Sequence, residues 1–257
     1  MARMIMGFTL FYFLLLSSAA SALNLDSFIP KGWQAGNGFR NDPYPYYLRI
    51  NTGMGANKEI ILHYSFVEKG EYLPDKHIIS FLSWNGAKYI EKWKKTFNSI
   101  ENIFFLVNDI NKDGKKELIV HGLHSGNGAY GNLWVFQFGK TMAGKIFDKA
   151  VQGERYLWND KKRQAGICPE YFPDLDKDGI LEIMAGHRAE DDKVACVDEP
   201  WWIDIYKWNG GTYILANNKF PKFYKNELAD YRSYVKEKGE NESIKKFIKR
   251  AEKIING

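Results

Sequence analysis

Two stretches of the chain repeat the same order of features, and this internal repeat constrains the fold more than any other property of the sequence. Residues 104–122 and 171–186 each contain an apolar segment, an acidic loop and a second apolar segment. Each is followed by a variable loop, an aromatic-rich segment (133–138 or 202–208) and a glycine-containing turn. This order predicts about four β-strands in each copy.

A third, degenerate copy lies upstream and is identified by its turn. Residues 84–89, Trp-Asn-Gly-Ala-Lys-Tyr, closely match residues 208–213, Trp-Asn-Gly-Gly-Thr-Tyr. Asn-Gly between apolar-rich runs is a strong hairpin signal. One such sheet cannot bury its own apolar face, so the copies are expected to pack against each other. We therefore predict a mainly β fold, a β-propeller-like array of about three four-stranded repeats.

The acidic segments have the composition of cation sites. We call residues 109–117 the first acidic loop and residues 174–182 the second. Their alternate side chains can converge on one point, and the glycine permits the sharp turn. Oxygen ligands without His or Cys favour calcium over zinc or copper, so one or two calcium ions are expected. The predicted ligands are Asp109, Asn111, Asp113, Lys115 (backbone carbonyl) and Glu117 in the first loop, and Asp174, Asp176, Asp178, Ile180 (backbone carbonyl) and Glu182 in the second. The alternative is a pair of solvated acidic turns without metal.

The spacing excludes an EF-hand, because the twelfth loop position is Val120 or Ala185 instead of a bidentate Glu. In this pattern the chain resembles the FG-GAP or VCBS repeats of integrin α-subunit propellers and many bacterial exported proteins, over roughly residues 45–215. The resemblance implies a propeller-like fold with calcium in the loops. The degenerate upstream copy has Gly53 and Gly55 at two ligand positions, so no metal is expected in that copy. Either residues 23–45 complete a fourth blade, or the array stays open.

Both ends of the chain differ from the repeats. Residues 1–22 combine Arg3, a short apolar run and a small-residue end, which predicts a cleaved secretory signal and no remaining transmembrane anchor. Residues 23–218 are assigned to the β-repeat domain. Residues 219–257 show helical spacing of apolar positions and predict a helical hairpin that covers an end or edge of the β part. Export to the bacterial periplasm or the extracellular space is expected.

The two cysteines, Cys168 and Cys196, predict one disulfide in an exported protein. Two unpaired buried thiols are the alternative. The C-terminal 39 residues contain eleven Lys or Arg against six Asp or Glu, so the rest of the precursor is close to neutral. This basic segment is either a solvated helix face or a surface for an acidic partner.

No catalytic residue is predicted, because no nucleophile elbow, phosphate-binding glycine loop or zincin motif occurs. The predicted partner-binding residues are the aromatics in or beside loops, namely Trp201, Trp202, Tyr44, Tyr46 and Trp158. Trp201 and Trp202 cannot both face inward if they lie on a strand.

Three functions remain open. The first is a binding or inhibitory protein, since the resemblance includes exported proteins that act against cell-wall-degrading lysozymes. The second is a module that binds glycans or the cell surface. A metal-dependent hydrolase is third, because protein oxygens are expected to fill both loops and catalysis needs an open metal position. The expected partner is another protein or a cell-surface glycan, and no nucleic acid.

Overall fold

A computed structural model describes residues 25–36, 46–51, 59–69, 71, 73–124, 130–139, 143–152, 157–159, 164–165, 168, 170–188, 201–239 and 242–257. The predicted signal segment, residues 1–22, lies outside this part. The strands are β1 (Gln34–Ala35), β2 (Tyr47–Ile50), β3 (Glu59–Phe66), β4 (Lys76–Trp84), β5 (Tyr89–Asn98), β6 (Asn102–Asn108), β7 (Glu117–Leu123), β8 (Tyr130–Phe138), β9 (Ala143–Gln152), β10 (Trp158–Asn159), β11 (Gln164–Ala165), β12 (Ile183–Arg188), β13 (Trp201–Trp208) and β14 (Tyr213–Leu215). The helices are α1 (Pro221–Lys238) and α2 (Glu242–Asn256). Neither helix is long and apolar enough to cross a membrane.

The described residues form four antiparallel sheets, of which the smallest is the β10–β11 pair. The other three follow the order of the predicted copies. The first sheet has the order β1–β3–β4–β5, with β2 also paired to β3, and the second has the order β6–β7–β8–β9. The third contains β12–β13–β14. Its predicted leading strand is not formed, although the carbonyls of Tyr171 and Pro173 accept hydrogen bonds from Met184 and Glu182. Proline lacks an amide hydrogen, which limits ladder pairing at this position.

The sheets stack face to face. Successive residues of one strand point to opposite faces of its sheet, so a strand can contribute to the cores on both sides. On β7, Leu118 and Val120 pack in the core between the first and second sheets. The intervening Ile119 packs with Ile183 and Ala185 of β12 in the core between the second and third sheets. The second sheet therefore buries both faces.

The two ends of the stack are covered by different segments. On the outer face of the first sheet, Leu25 joins a small core with Ile60 and Leu62. The described part of residues 23–45 thus belongs to the first sheet, and the alternative of a fourth blade built by this segment is wrong for that part. On the other end, the helices pack over Met184 and Ile205. The mainly β fold and the C-terminal helical pair are confirmed. The sheets of the described residues do not close into a ring, so the propeller-like arrangement is not confirmed.

The repeated turns have the predicted geometry. The Asn85 side chain accepts hydrogen bonds from the amides of Ala87 and Lys88 between β4 and β5. The Asn209 side chain accepts bonds from Gly211 and Thr212 between β13 and β14 in the same way. Both following glycines have positive φ, which explains the Asn-Gly sequence.

Two buried histidines form a hydrogen-bonded chain on the inner face of the first sheet. His63 Nε2 lies 3.0 Å from His77 Nδ1, and His77 Nε2 lies 2.9 Å from the carbonyl oxygen of Ile100. The carbonyl is an acceptor only, so a neutral His77 donates from Nε2 and accepts at Nδ1 from His63. Burial lowers the pKa of His63 well below its ordinary value and that of His77 to about 4.

Acid is therefore expected to destabilise the fold through this pair. The unfolded state binds protons near pH 6.5 and the folded state does not, so stability is lost as the pH falls below 6.5. Between pH 7.5 and 5 the loss through His77 is about 2 kcal/mol. We expect His77→Gln, whose amide can donate to Ile100 and accept from His63, to lose that much less stability over this range in urea unfolding. Equal losses in both proteins would contradict this role.

Candidate metal centre

The two acidic loops have the same backbone. In the first, Lys112 has φ 57° and Gly114 has φ 83°. In the second, Lys177 has φ 62° and Gly179 has φ 87°. These left-handed positions curl each loop back on itself, and the glycines adopt them without steric cost.

The same side chains hold both loops in shape. Glu117 Oε2 accepts a hydrogen bond from the Ile110 amide at 2.9 Å, and Glu182 Oε2 accepts one from the Leu175 amide at 2.7 Å. The remaining shared bonds run from Gly114 to Asp109, Gly179 to Asp174, Lys115 to Asp113 and Ile180 to Asp178. In the first loop the Asp113 amide also donates to Asn111 Oδ1. The predicted ligand positions therefore lie on two loops of one design.

In the first loop the carboxylates of Asp109, Asp113 and Glu117 each offer an oxygen within 4.8 Å of the others. Glu117 is fully buried. Burial raises the pKa of Glu117 to about 7, and the charges of Asp113 and Asp109 add to this, while the bond from Ile110 opposes it. From β8, Gln137 pairs with Glu117 and donates to Asp113, with a longer contact of 3.4 Å to Glu117.

Some polar atoms around the loops are buried. Asp109 Oδ1 and Asp174 Oδ1 are inaccessible to solvent and have no hydrogen-bond partner within the described ranges. The same is true of the buried Tyr213 hydroxyl on β14. Burial, together with the charges of Glu117, Glu182 and Asp109, raises the pKa of Tyr213. Because buried polar groups are normally paired, such atoms fit a site built for a cation or its water.

The two loops are neighbours in space. The Leu181 amide donates to the Ile110 carbonyl at 2.9 Å, which joins the second loop to the first. Beyond the effect of burial, the charges of carboxylates from both loops raise the pKa of the Tyr213 phenol. The candidate metal centre is therefore one acidic region with two halves, and its Ile110 lies in the core between the second and third sheets.

The second loop differs in what faces it. Asp174, Asp176 and Glu182 again lie within 4.8 Å of one another. From β13, however, Lys207 Nζ lies 2.7 Å from Asp176, 2.6 Å from Asp178 and 3.2 Å from Glu182. Partial burial lowers the pKa of Lys207, but its bonds to these carboxylates outweigh that and raise it above its ordinary value.

Sequence reasoning missed Gln137 and Lys207. Each is a polar residue between two aromatic residues at the end of a strand, in Phe136-Gln-Phe138 and Tyr206-Lys-Trp208. Ile183 pairs with Tyr206 in the register of β12 and β13, which places Lys207 beside Glu182. Gln137 pairs with Glu117 in the corresponding position of the second sheet. A polar residue between two aromatic residues of a strand could have identified both Gln137 and Lys207 as candidate site residues.

The predicted binding aromatics do not form one group. Trp201 is 38% exposed, whereas Trp202 is 1% exposed and packs beneath the helices. Trp202 was therefore wrongly predicted as a binding residue, because strand alternation turns it inward. Tyr46 is half-buried against Tyr47. Tyr44 and the side chain of Trp158 lie outside the described residues.

The predicted disulfide also extends beyond the described part of the chain. Cys168 is buried, and its carbonyl accepts hydrogen bonds from Tyr171 and Phe172 just before the second acidic loop. Cys196 lies outside the described residues. The bond between them stays a prediction.

In comparisons with known proteins, no family model matches the chain, and neither a curated protein nor a solved structure is similar to it.

Proposed function

We propose that the protein is an exported, calcium-binding β-repeat protein that binds another macromolecule and does not catalyse a reaction. The observation that carries this is the fully buried Glu117 carboxylate, which shares its loop with Asp109 and Asp113. Within the described residues, no Lys or Arg lies within ion-pair distance of these three groups. Burying the Glu117 carboxylate close to two others without a cation is unfavourable, and a bound ion removes that cost.

Calcium fits the first acidic loop best. Its donors are carboxylate and amide oxygens, together with the backbone carbonyl expected from Lys115, and it has no sulfur or imidazole. Calcium tolerates irregular geometry and six to eight oxygens, whereas magnesium demands a strict octahedron. Asp109, Asp113 and Glu117 would hold the ion, and Asn111 Oδ1, which also accepts a hydrogen bond from the Asp113 amide, would supply the amide oxygen. The ion's role is structural, because it keeps Glu117 charged and the loop folded.

The repeated layout supports an assignment to FG-GAP or VCBS-type repeats. Each copy places a leading segment, a loop, a buried strand and a hairpin in the same order. We propose that the three sheets are blades of an open array whose ends are covered by other segments. Such a rigid stack suits the presentation of loops and strand ends to a partner.

The third-sheet end offers the best surface for a partner. Trp201 is exposed at the start of β13, and its backbone is held by the Tyr231 hydroxyl at 2.8 Å. Ile214 and Leu215 on β14 are also exposed, at 41% and 55%. Because β14 pairs with Tyr206–Trp208, these two residues lie at the opposite end of β13 from Trp201. Trp is enriched in the residues that dominate protein-binding surfaces, so Trp201 is the proposed anchor. A protein such as a cell-wall hydrolase is the proposed partner.

The partner proposal is tested by capture from bacterial periplasmic extract on immobilised protein, in calcium and in EGTA. We expect a protein to be retained, and retention to fall with Trp201→Ala. Lysis of cell-wall suspensions by lysozyme should slow when the protein is added. Retention of the protein on purified peptidoglycan, with no captured protein, would favour the glycan-binding alternative instead.

Removal of calcium is expected to destabilise the protein. At a hundredfold excess over Kd, one ion that binds only the folded state contributes about 2.7 kcal/mol. This corresponds to a Tm change of about 5–10 °C for a chain of this size. Asp113→Asn should abolish the change, because it removes one carboxylate from the site, while the exposed Asp230→Asn on α1 should keep it. A Tm that is the same in calcium and EGTA would refute the calcium site.

A further inference from the structure

We propose that Lys207 is a built-in cation that replaces calcium in the second acidic loop, so that the protein binds calcium at the first loop alone. This inference rests on the proposed function of the first loop. It concerns a difference between two loops that the sequence motif alone makes look equivalent.

The position of the ammonium group is that of a bound ion. Lys207 Nζ is within 3.2 Å of oxygens from Asp176, Asp178 and Glu182, which are three of the four acidic side chains of the second loop. An ammonium group has three hydrogens, one for each of these carboxylates. The Lys207 side chain is only 16% exposed, so it lies in the loop instead of extending into solvent.

The acidic side chains of each loop, taken together with the residue that faces them from the neighbouring strand, have the same net charge in both loops. The first loop has Asn111 where the second has Asp176, and it faces Gln137 where the second faces Lys207. The extra carboxylate and the extra ammonium therefore occur together. Three carboxylates with a neutral amide have the same net charge as four carboxylates with one ammonium. The two loops therefore differ by one carboxylate and one ammonium group whose charges cancel.

The two cations cannot share one set of oxygens. Glu182 is fully buried, with Oε2 bonded to the Leu175 amide and Oε1 facing Lys207. The carboxylates that could hold an ion in this loop are Asp174, Asp176 and Glu182, and Lys207 already bonds two of them. A calcium ion there would place two positive charges beside the ammonium. At the first loop the neutral Gln137 amide imposes no such repulsion. The donors of the second loop therefore do not fit a resident calcium ion while Lys207 is in place.

If this is so, one part of the fold depends on calcium and the other does not. The second loop leads into β12, which belongs to the sheet that carries the helices. With a tethered cation, this half stays assembled when calcium is absent. Only the junction formed by the first loop and β7 responds to the ion.

The test exchanges the residues that face the two loops. Calorimetric titration of calcium into the metal-free full chain should give one ion per wild-type molecule, two for Lys207→Gln and none for Gln137→Lys at up to about 1 mM calcium. Circular dichroism of each variant verifies folding, and Lys207→Gln can be purified in calcium and then dialysed. In the wild type, Asp113→Asn should abolish binding, whereas Asp178→Asn should leave one ion.

The outcomes separate this inference from the proposed function. Two ions in the wild type, or one ion that Asp178→Asn removes, would overturn the role of Lys207. No ion in the wild type and one in Lys207→Gln would refute the first-loop calcium site but support Lys207 as the resident cation of the second. No binding in either protein would overturn both.

Discussion

Trp202→Ala is expected to cost about 3–5 kcal/mol of folding free energy, the range for a buried Trp truncation. The ring is 1% exposed and is stacked on Tyr224 of α1, with centroids 5.1 Å apart. The edge of Phe247 and the guanidinium of Arg250, both from α2, contact the same ring. The indole also donates to Asp204 at 2.7 Å. The truncation therefore removes the side chain that joins both helices to the third sheet, and Tm should fall by about 10 °C or more.

The neighbouring Trp201 provides a matched control. Its side chain is 38% exposed, and the hydrogen bonds that fix it to Tyr231 come from its backbone. Trp201→Ala should therefore cost less than about 1 kcal/mol. Calorimetric unfolding of both variants measures the contrast. Similar losses of unfolding free energy for the two substitutions would contradict the burial of Trp202 and the exposure of Trp201.

Lys207→Gln is expected to lower stability by about 3 kcal/mol in EGTA, because it leaves the buried Glu182 carboxylate without its cation. Burial already raises the pKa of Glu182, while the Leu175 amide and Lys207 counteract the effect. Loss of the ammonium removes part of that compensation. Calcium should then restore stability in the variant, since the loop is left with four carboxylates and a neutral amide.

The control for this variant is Lys95→Gln on β5, where the side chain is exposed. Exposed substitutions of this kind change stability by less than about 0.5 kcal/mol. Urea unfolding in EGTA and in calcium gives the four values needed. If Lys207→Gln behaves like Lys95→Gln in EGTA, Lys207 does not stabilise the second loop.

Local features of this protein follow closely from its sequence. The acidic loops close through bonds between residues two to seven positions apart, such as Glu117 to Ile110. The Asn-Gly turns and the two helices are likewise set by neighbouring residues. For these elements the residue order contains nearly all the physical information, so their positions were predictable.

Features that depend on partners distant in sequence were not predictable in the same way. Alternation requires Trp201 and Trp202 to face opposite ways, but the helices decide which one is buried. Lys207 reaches the second loop only through the pairing of β12 with β13. The segment around Leu25 could not be placed on the first sheet without knowing which face was uncovered. Closure of the array depends on packing between sheets, for which the repeat gives no direct signal.

An anomalous difference map from crystals grown in calcium tests the metal centre most directly. We expect a calcium peak among the carboxylates of Asp109, Asp113 and Glu117, and the Lys207 ammonium in place of a peak at the second loop. A map with no peak at the first loop, in crystals of the folded protein at saturating calcium, would contradict the assignment of this protein as a calcium-binding β-repeat protein.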